Sequence, residues 1–409
     1  MAKILILIGA HLSTAPRPQK EAEALAAAGH DVTVGGFWSN PAQVARDQLI
    51  LATASYQFQP IVDFQPHRTG TNLNVRLRSR FAREIFKRLG IFTPNLIGIL
   101  PQVMLNYARN FRADLTIVHA EAGLWVGSQL LRSGFRVGVD FEDWFSEDLL
   151  PEARQERPIH VIKKLERELA QNCTYCITTA HALATGLANA YQVPKPTVIY
   201  NVFPWAERQH IDGKIHDRCN LAIPSLHWFS QTLGPGRGLE VLFKALSKIS
   251  TPLEIHLRGH YPEASRQWLE PQIPESWRER ILIHPTVPNH ELLSRIAEHD
   301  IGLALEIPFC HSRDLTITNK LFQYLQAGLS IIATETGGQK EVLTAYPHVG
   351  VLVPSGDADA LAKAIERLAH DPVLLAKQKQ AALTAAQQTY NWESQAPILV
   401  SLAAQALRQ

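Results

Sequence analysis

Short apolar runs alternate with helical patterns along almost the whole chain. In the first half the predicted strands are Ile4–Ile8, Asp31–Val34, Asp114–His119, Arg136–Asp140, Tyr175–Thr179 and Thr197–Tyr200. Continuous apolar runs of this length are typical of parallel strands that are buried on both faces. The helix after the first strand is predicted over Gln19–Ala28, where Gly29 ends it. This alternation predicts a doubly wound parallel sheet.

A polar segment, Trp205–Asn220, interrupts the alternation, and we interpret it as a linker. The pattern then restarts with predicted strands at Leu226–Phe229, Leu253–Leu257, Ile281–His284, Ile301–Leu305, Leu329–Thr334 and Val349–Val353. The helices between them are predicted near Gly238–Ile249, His290–His299, Lys320–Ala327 and Asp357–His370. A last amphipathic helix is expected over Trp392–Leu407. The fold class is therefore α/β, with two Rossmann-like, doubly wound domains that face each other across a cleft.

Composition narrows the functional classes. A chain of 409 residues is long enough for two domains, and 46% hydrophobic residues exclude a disordered protein. The net charge of +2 argues against nucleic acid as a partner. The first apolar run is too short for a signal peptide and no run is long enough to span a membrane, so we expect a cytoplasmic protein. Four scattered cysteines, with only one C-x-x-C pair, predict neither a disulfide framework nor a metal site.

One glycine-rich turn opens a helix, and it follows the first strand of the second half. Neither a G-x-G-x-x-G dinucleotide fingerprint nor a P-loop is present after the first strand of the chain. In the turn Gly234–Gly238, Gly236 and Gly238 would let the backbone approach an anion, and the helix that follows adds free N–H groups. Arg237 supplies a forked cation suited to phosphate. The alternative is a tight turn with a surface arginine.

A second helix start has the same character. Thr318 or Asn319 can cap the helix that begins there, and Gln323 lies one turn further on the same face. Lys320 falls in the first turn, where a cation is unfavourable unless an anion is present. The alternative is an ordinary capped helix with a solvated lysine.

The segment Asn319–Leu329, followed by Gly337–Val342, resembles the donor-site segment "NKLFEYLAAGLPVIA…GGxxEV" of two-domain retaining glycosyltransferases with the GT-B fold (group 1, family 4). Further likenesses are Gly29–Val34, Leu165–Arg167 and Tyr200–Asn201, and Gly236–Glu240 stands where the family has its "KG" turn. The resemblance covers nearly the whole chain. It implies transfer of a sugar from a nucleotide diphosphate-sugar to a hydroxyl group of a glycan, a lipid-linked or a small-molecule acceptor, with retention.

The resemblance also implies that the first domain binds the acceptor and the second binds the nucleotide-sugar. It implies no metal or other cofactor. Domain one would span residues 1–204, with residues 391–409 packing back on it, and domain two residues 205–390. The implied donor-binding residues are Gly236, Arg237, Gly238, Thr318, Asn319, Lys320, Gln323 and Glu306.

Several positions depart from the family pattern. Two glutamates common at the donor site are replaced by Leu315 and Gln323, and the usual arginine and lysine by Gln231 and Arg237. Gln323 can still bind ribose hydroxyls, Arg237 and Lys320 can neutralise a diphosphate, and Glu306 or Asp314 could compensate for the lost carboxylate. A nucleotide-sugar-binding protein without transferase activity therefore stays open. The missing fingerprint disfavours an oxidoreductase, and the carboxylate-rich site of sugar epimerases is not recognisable.

The first half supplies the expected acceptor side. His119 ends a predicted strand and resembles the family's cleft histidine; the alternative is a satisfied core histidine. Asp143 stands where the family has an acid, although it could simply line a solvated helix start. We expect His119 and Asp143 to be catalytic and to present the acceptor hydroxyl. Arg17, in a loop resembling the family's "DPR", and Glu121 and Glu142 are expected on the acceptor side.

A basic helix is predicted between Arg76 and Arg88. Arg76, Arg80, Arg83 and Lys87 fall on one stripe, beside an apolar stripe of Leu77, Phe81, Ile85 and Leu89. Such a helix could contact an anionic membrane peripherally, at the inner face, or hold an anionic lipid or glycan acceptor. The alternative is a core-packed helix with a solvated basic face.

Overall fold

The computed structural model describes residues 1–66 and 69–408, which form two compact units. The first comprises Met1–Tyr200 and the chain from Gln395 onward, and the second comprises Asn201–Ser394. In the part of the chain so described, no helix is long and apolar enough to cross a membrane.

The first unit is built on a seven-stranded sheet with the order β3-β2-β1-β4-β5-β6-β7. All its strand pairs are parallel. The strands are β1 (Lys3–Leu7), β2 (Asp31–Trp38), β3 (Gln57–Asp63), β4 (Leu115–Val118), β5 (Val137–Phe141), β6 (Tyr175–Thr178) and β7 (Thr197–Val198). The sequence pattern missed β3, because this edge strand is mostly half-exposed and contains Pro60.

Helices connect these strands. They are α1 (Pro16–Ala27), α2 (Pro41–Leu51), α3 (Thr69–Leu89), α4 (Pro101–Phe111), α5 (Ala120–Arg132), α6 (Pro151–Gln155), α7 (Ile159–Asn172) and α8 (His181–Tyr191). The core between sheet and helices is apolar; Ile4, Leu5, Ile6 and Leu7 of β1 are fully buried.

The second unit repeats the architecture with a six-stranded sheet in the order β10-β9-β8-β11-β12-β13. Its strands are β8 (Ser225–Thr232), β9 (Glu254–His260), β10 (Ile281–His284), β11 (Ile301–Ala304), β12 (Ser330–Thr334) and β13 (Gly350–Val353). All six were predicted. Its helices are α9 (Leu239–Leu246), α10 (Glu263–Leu269), α11 (Asn289–Ala297), α12 (His311–Leu315), α13 (Asn319–Ala327), α14 (Gly337–Ala345), α15 (Ala358–His370) and α16 (Pro372–Gln388).

The last helix, α17 (Trp392–Ala406), begins in the second unit and runs into the first. The side chain of Gln395 accepts a hydrogen bond from the backbone N–H of Tyr200 at 3.0 Å, within the first unit. Two parallel α/β sheets confirm the predicted fold class. In each sheet the strand order reverses once, between β1 and β4 and between β8 and β11, and ligands of such sheets bind beyond the carboxyl ends of the strands at this point.

The segment interpreted as a linker is instead part of the second unit. Asp217 is buried and forms an ion pair with Arg258 of β9. The buried guanidinium of Arg218 binds Glu254 at 3.1 Å and Asp300 at 2.9 Å. The polar composition of Trp205–Asn220 therefore reflects paired charges rather than a solvated connection.

Four histidine side chains are brought together on the second sheet. The rings of His227 and His299 stack with centroids 4.5 Å apart, and that of His256 lies 4.4 Å from His299. His256 Nδ1 is 3.0 Å from His284 Nε2. Burial, together with the neighbouring imidazoles, lowers the pKa of His256 to about 2 and that of His227 well below its usual value. The pKa values of His284 and His299 are lowered as well, again chiefly by burial.

This cluster predicts acid sensitivity of the second unit. Because the folded pKa of His256 lies below the unfolded value, the unfolded chain binds more protons, so stability is lost as the pH falls below about 6.5. His256 alone would account for about 2 kcal/mol between pH 7 and pH 5. In urea unfolding followed by tryptophan fluorescence, His256→Gln should reduce that pH-dependent loss by this amount.

The matched control is His290→Gln, since His290 is exposed in the same unit. Asp217, Glu254, Glu298, Arg218 and Arg258 also face the cluster, so the comparison is between variants rather than with a calculated curve. An unaltered pH dependence in His256→Gln would contradict the assignment.

Candidate functional site

The glycine-rich turn of the second unit lies at the carboxyl end of β8, against the end of β11. Gly236 and Gly238 both have positive φ, 76° and 86°. A β-carbon at Gly238 would overlap both the side chain and the backbone of Leu305. Only glycine therefore allows this turn to pack where it does, next to Glu306.

Lys320 is buried, which excludes the solvated lysine of the alternative interpretation. Its Nζ lies 2.5 Å from Oε1 of Glu306, and the ammonium is 5.6 Å from the ring centroid of Trp228. Burial alone would raise the pKa of Glu306, but the Lys320 charge outweighs it and the pKa lies below its ordinary value. The anion that a lysine in the first turn of α13 requires is thus supplied by the chain itself.

The start of α13 keeps backbone donors available. Thr318 occupies the cap position, but its side chain does not cap the helix. Asn319, the first helical residue, accepts a hydrogen bond from Asn201 through its side chain at 3.1 Å. Gln323 is half-exposed one turn later.

A third helix start lies beside them. The carboxylate of Asp314 accepts a hydrogen bond from the backbone N–H of Gly337, at the start of α14, at 3.1 Å. A β-carbon at Gly338 would overlap the carbonyl of Thr316. Asp314 and Glu306, the two acids considered as replacements for the missing glutamate, are therefore both engaged within the protein.

Arg237 differs from Lys320 because its side chain is exposed and makes no hydrogen bond or ion pair with the residues that the structure describes. The nearby carboxylate of Glu240 instead accepts from the backbone N–H of Gly236 at 2.6 Å. The turn therefore offers an uncompensated, forked cation next to the start of α9.

A buried ionic network lies at the carboxyl ends of β1, β4 and β5 in the first unit. Arg17 is 1% exposed; its guanidinium pairs with Asp140, lies 3.4 Å from Glu21, and donates to the carbonyl of Ile199 at 2.8 Å. Arg17 was expected on the acceptor side. In the structure its side chain lies in α1 and is enclosed, because it neutralises two buried carboxylates.

His119 belongs to the same network. Its Nε2 lies 3.1 Å from Glu21 and its Nδ1 2.6 Å from Glu142. Burial would lower its pKa, but the two carboxylates hold it well above the ordinary value. His119 thus matches the hydrogen-bonded core histidine of the alternative interpretation, with both ring nitrogens next to carboxylates.

Charges in this network nearly cancel. Burial raises the pKa of Glu21 to about 7, whereas the Arg17 and His119 charges overcome burial and keep the pKa of Asp140 below its ordinary value. Two cations then face Asp140, Glu142 and a Glu21 that binds a proton near neutrality. Glu21 was missed by the sequence analysis, although its position one turn after Arg17 on α1 was a usable signal.

The other acids of the first unit are less enclosed. Glu142 has 34% of its side chain exposed, and Asp143 is half-exposed beside it. Glu121 is held in an ion pair with Arg157. Ala120, between His119 and Glu121, has φ of +60°, a strained conformation for a residue other than glycine that is often found next to functional side chains.

Glu166 fixes the loop that follows β5. Its buried carboxylate accepts from the backbone N–H of Ser146 at 3.0 Å and from the hydroxyl of Tyr191 at 2.6 Å. That hydroxyl in turn accepts from Trp144 Nε1 at 2.9 Å. In the sequence, Leu165–Arg167 is only a likeness to the family pattern. In the structure, Glu166 holds the loop that carries Glu142 and Asp143.

One group of side chains has spacing that a metal ion could use. The ligand atoms of Glu21, His119 and Asp140 lie within 4.8 Å of one another. The guanidinium of Arg17 already lies against Asp140, however, and both ring nitrogens of His119 face carboxylates. A divalent cation does not fit these residues unless Arg17 leaves.

Residues 225–371 match the family model described as "Glycosyl transferases group 1". Among solved structures, sucrose-phosphate synthase from Thermosynechococcus elongatus is 18% identical, with 99% of each chain covered and a TM-score of 0.70. HepE from Anabaena in complex with UDP is 17% identical, with 99% of each chain covered and a TM-score of 0.70.

A glycosyltransferase from Rickettsia africae is 13% identical over 100% of this chain and 99% of its own, with a TM-score of 0.70. None of the curated protein sequences matches the chain significantly. The structural likenesses establish the GT-B fold. The match to residues 225–371 places a group 1 glycosyltransferase domain in the second unit, in agreement with the resemblance of Asn319–Leu329.

The buried position of Arg17 predicts a large effect on stability. Arg17→Ala leaves Asp140 and Glu21 in the core without their cation, which typically costs about 3–5 kcal/mol. Urea unfolding of the full chain at pH 7 measures this loss.

Arg132→Ala is the control, because Arg132 forms an exposed ion pair with Glu168 in the same unit. It should cost less than about 1 kcal/mol. Equal losses of unfolding free energy in the two variants would show that the buried ion pairs of Arg17 stabilise the protein no more than an exposed ion pair does.

Proposed function

We propose that this enzyme transfers a sugar from a nucleotide diphosphate-sugar to a hydroxyl group, with retention and without a metal ion. The observation that carries the proposal is Arg237, an unpaired cation at a glycine turn that opens α9 and packs beside Glu306 and Lys320. An anion placed there meets a guanidinium and free backbone N–H groups. Solved proteins of this fold in complex with UDP and with UDP-glucose support a nucleotide-sugar donor.

Charge on the leaving diphosphate is the central catalytic need of such a transfer. Arg237 and the starts of α9 and α13 would bind the diphosphate and stabilise the charge that develops as the glycosidic bond breaks. The Lys320–Glu306 pair is neutral overall. The Lys320 ammonium would therefore stabilise the diphosphate fully only when a group of the bound nucleotide-sugar takes over part of the interaction with Glu306. Thr318, Asn319 and Gln323 would bind the remaining donor hydroxyl groups, and Gly236 and Gly238 leave room for them.

On the acceptor side, the carboxylates of Glu142 and Asp143 are the candidates to bind the acceptor hydroxyl. His119 would act as a positioning residue, because its proton fixes Glu142 at 2.6 Å. Arg17 and Glu121 would support the same loop through their ion pairs rather than contact the acceptor.

The second candidate is a nucleotide-sugar-binding protein without turnover. Leu315 and Gln323 favour it, because the two carboxylates usual in the family are replaced and Asp314 is engaged at the start of α14. Release of nucleoside diphosphate from a panel of donors, with and without acceptor extracts, separates the two. Binding without transfer or donor hydrolysis would support the second candidate.

The donor assignment predicts that Arg237→Ala weakens binding of nucleoside diphosphates. Loss of a hydrogen bond to a charged group costs about 1.5–3 kcal/mol, so the Kd should rise about tenfold to a hundredfold. Isothermal titration with UDP, ADP and GDP measures this and identifies the preferred base.

Arg278→Ala, which removes an exposed arginine from the same unit, should leave the Kd unchanged. If Arg237→Ala binds every tested nucleotide as tightly as the parent protein does, the diphosphate site lies elsewhere.

We also propose that α3 contacts an anionic membrane surface peripherally, at the cytoplasmic face. The apolar stripe of this helix does not form a packed core: Leu77 and Phe81 are 44% and 64% exposed, whereas Val75 and Ala82 are buried. Basic side chains flank that face, as is typical of helices that lie on anionic membranes.

In a flotation assay with phosphatidylglycerol vesicles, Phe81→Ser should weaken association about tenfold or more, because an apolar ring no longer enters the interface. Leu49→Ser removes an equally exposed apolar side chain from α2 and should have no effect. An equal loss in both variants would point to a general surface effect.

A further inference from the structure

A hydroxyl, an imidazole and a carboxylate are joined by hydrogen bonds beside the carboxyl ends of β1 and β2, and no step of the proposed glycosyl transfer uses them. Ser39 Oγ lies 2.9 Å from Nε2 of His11, and Nδ1 of the same ring lies 3.0 Å from Oδ2 of Asp47. The other oxygen of that carboxylate accepts from the backbone N–H of Ser13 at 2.7 Å. Hydrolases activate a serine through these three groups in this order.

The three side chains come from separate elements. His11 lies in the loop after β1, Ser39 stands between β2 and the start of α2, and Asp47 lies within α2. A turn from a strand to a helix is also where α/β-hydrolases place their nucleophilic serine. Asp47 is fully buried and His11 is 5% exposed, whereas Ser39 is half-buried. The hydroxyl is therefore the end of this hydrogen-bonded series that a substrate can reach.

The hydrogen bonds of the imidazole fix its tautomer. Nε2 of His11 accepts from the backbone N–H of Ser39 at 2.9 Å and from that of Asn40 at 3.3 Å, so Nε2 carries the lone pair. The ring proton is then on Nδ1, facing Asp47, and this is the tautomer in which Nε2 can take a proton from a hydroxyl. Once Nε2 is protonated, the two N–H groups lose their acceptor. They are then free to donate to an oxyanion that forms beside Ser39.

A pocket of about 430 Å³ borders Ser39. Its apolar walls are formed by Phe64, Val75 and Ile99, and its remaining lining consists of polar side chains of α3. Phe64 is held edge-on against Phe37 of β2, with ring centroids 6.3 Å apart. The volume is within the range of pockets that bind small molecules. A short acyl group would find apolar contacts there with its carbonyl carbon next to the Ser39 hydroxyl.

We propose that Ser39, His11 and Asp47 hydrolyse carboxylic esters of short acyl groups, an activity beyond the proposed glycosyl transfer. Ser39 Oγ attacks the carbonyl carbon while its proton passes to Nε2 of His11, and the alcohol leaves with that proton. Water then attacks the acyl-serine ester and gives a proton to the same nitrogen. The bond to Ser39 Oγ breaks, the proton returns to this oxygen, and the carboxylic acid leaves. Asp47 positions the ring and stabilises the imidazolium without touching the ester.

The first arm of the test labels the parent protein, so it does not depend on the folding of a variant. Diisopropyl fluorophosphate phosphorylates an activated serine oxygen and releases fluoride. After incubation of the full chain with this reagent, proteolysis and mass spectrometry should locate the label on Ser39. Ser55, an exposed serine of the same unit, should stay unlabelled. Protein unfolded in urea should take up no label, because unfolding separates the hydroxyl from the imidazole.

The second arm measures hydrolysis of p-nitrophenyl butyrate. Ser39→Ala and His11→Gln should each lower kcat about a hundredfold or more, because nucleophile or general base is lost. Asp47→Asn keeps the size of the side chain and should lower kcat about tenfold or more, with KM within about twofold of the parent value, since Asp47 does not touch the ester. Ser55→Ala is the matched control and should leave both constants unchanged.

The inference requires both results. Absence of label on Ser39 overturns it, as does a rate of ester hydrolysis that Ser39→Ala does not lower. In either case the three side chains only hold the start of α2 against the loop after β1. Neither arm involves a nucleotide, so the outcome is independent of the donor site at Arg237, which is tested by nucleoside diphosphate binding to the second unit.

Discussion

A parallel sheet covered by helices on both faces leaves one edge at which polar chemistry can be built. The strand interiors here are apolar and buried, so charged groups concentrate where strands end and helices begin. In both units this edge lies at the reversal of strand order, after β1, β4 and β5 in the first and after β8, β11 and β12 in the second. The functional residues of the protein follow from this single constraint.

The two units use the edge differently. In the first, Arg17, Glu21, His119 and Asp140 neutralise one another inside the protein, and only Glu142 connects that network to partly exposed surface. In the second, Lys320 and Glu306 are paired, while Arg237 is exposed and has no ion-pair partner in the described part of the chain. Side chains that neutralise one another hold the neighbouring loops in place, whereas an exposed cation without an ion-pair partner in the described residues can bind an anion.

Strand and helix types could be predicted where burial is uniform. All strands of the second unit were found because each is a continuous apolar run, and β3 was missed because an edge strand is half-exposed. The turn at Gly236–Gly238 and the start of α13 were found because glycine and a misplaced lysine are local signals. The burial of Arg17, the pairing of Lys320 with Glu306 and the docking of Asp217 could not be found. Each partner lies on another element, 14 to 123 residues away in the sequence.

The sequence by itself determined two α/β domains, the place of the glycine-rich turn and a likeness to glycosyltransferases, since these depend on local pattern and short motifs. Only the tertiary structure decided which charges remain available. The sequence does not show whether a charged side chain is neutralised by a distant residue or is exposed and able to bind a ligand. Arg17 and Arg237 show this: both follow a first strand, yet one is enclosed by carboxylates and the other is exposed. The free energy of burying a charge depends on its neighbours in space, and the chain fold alone brings them there.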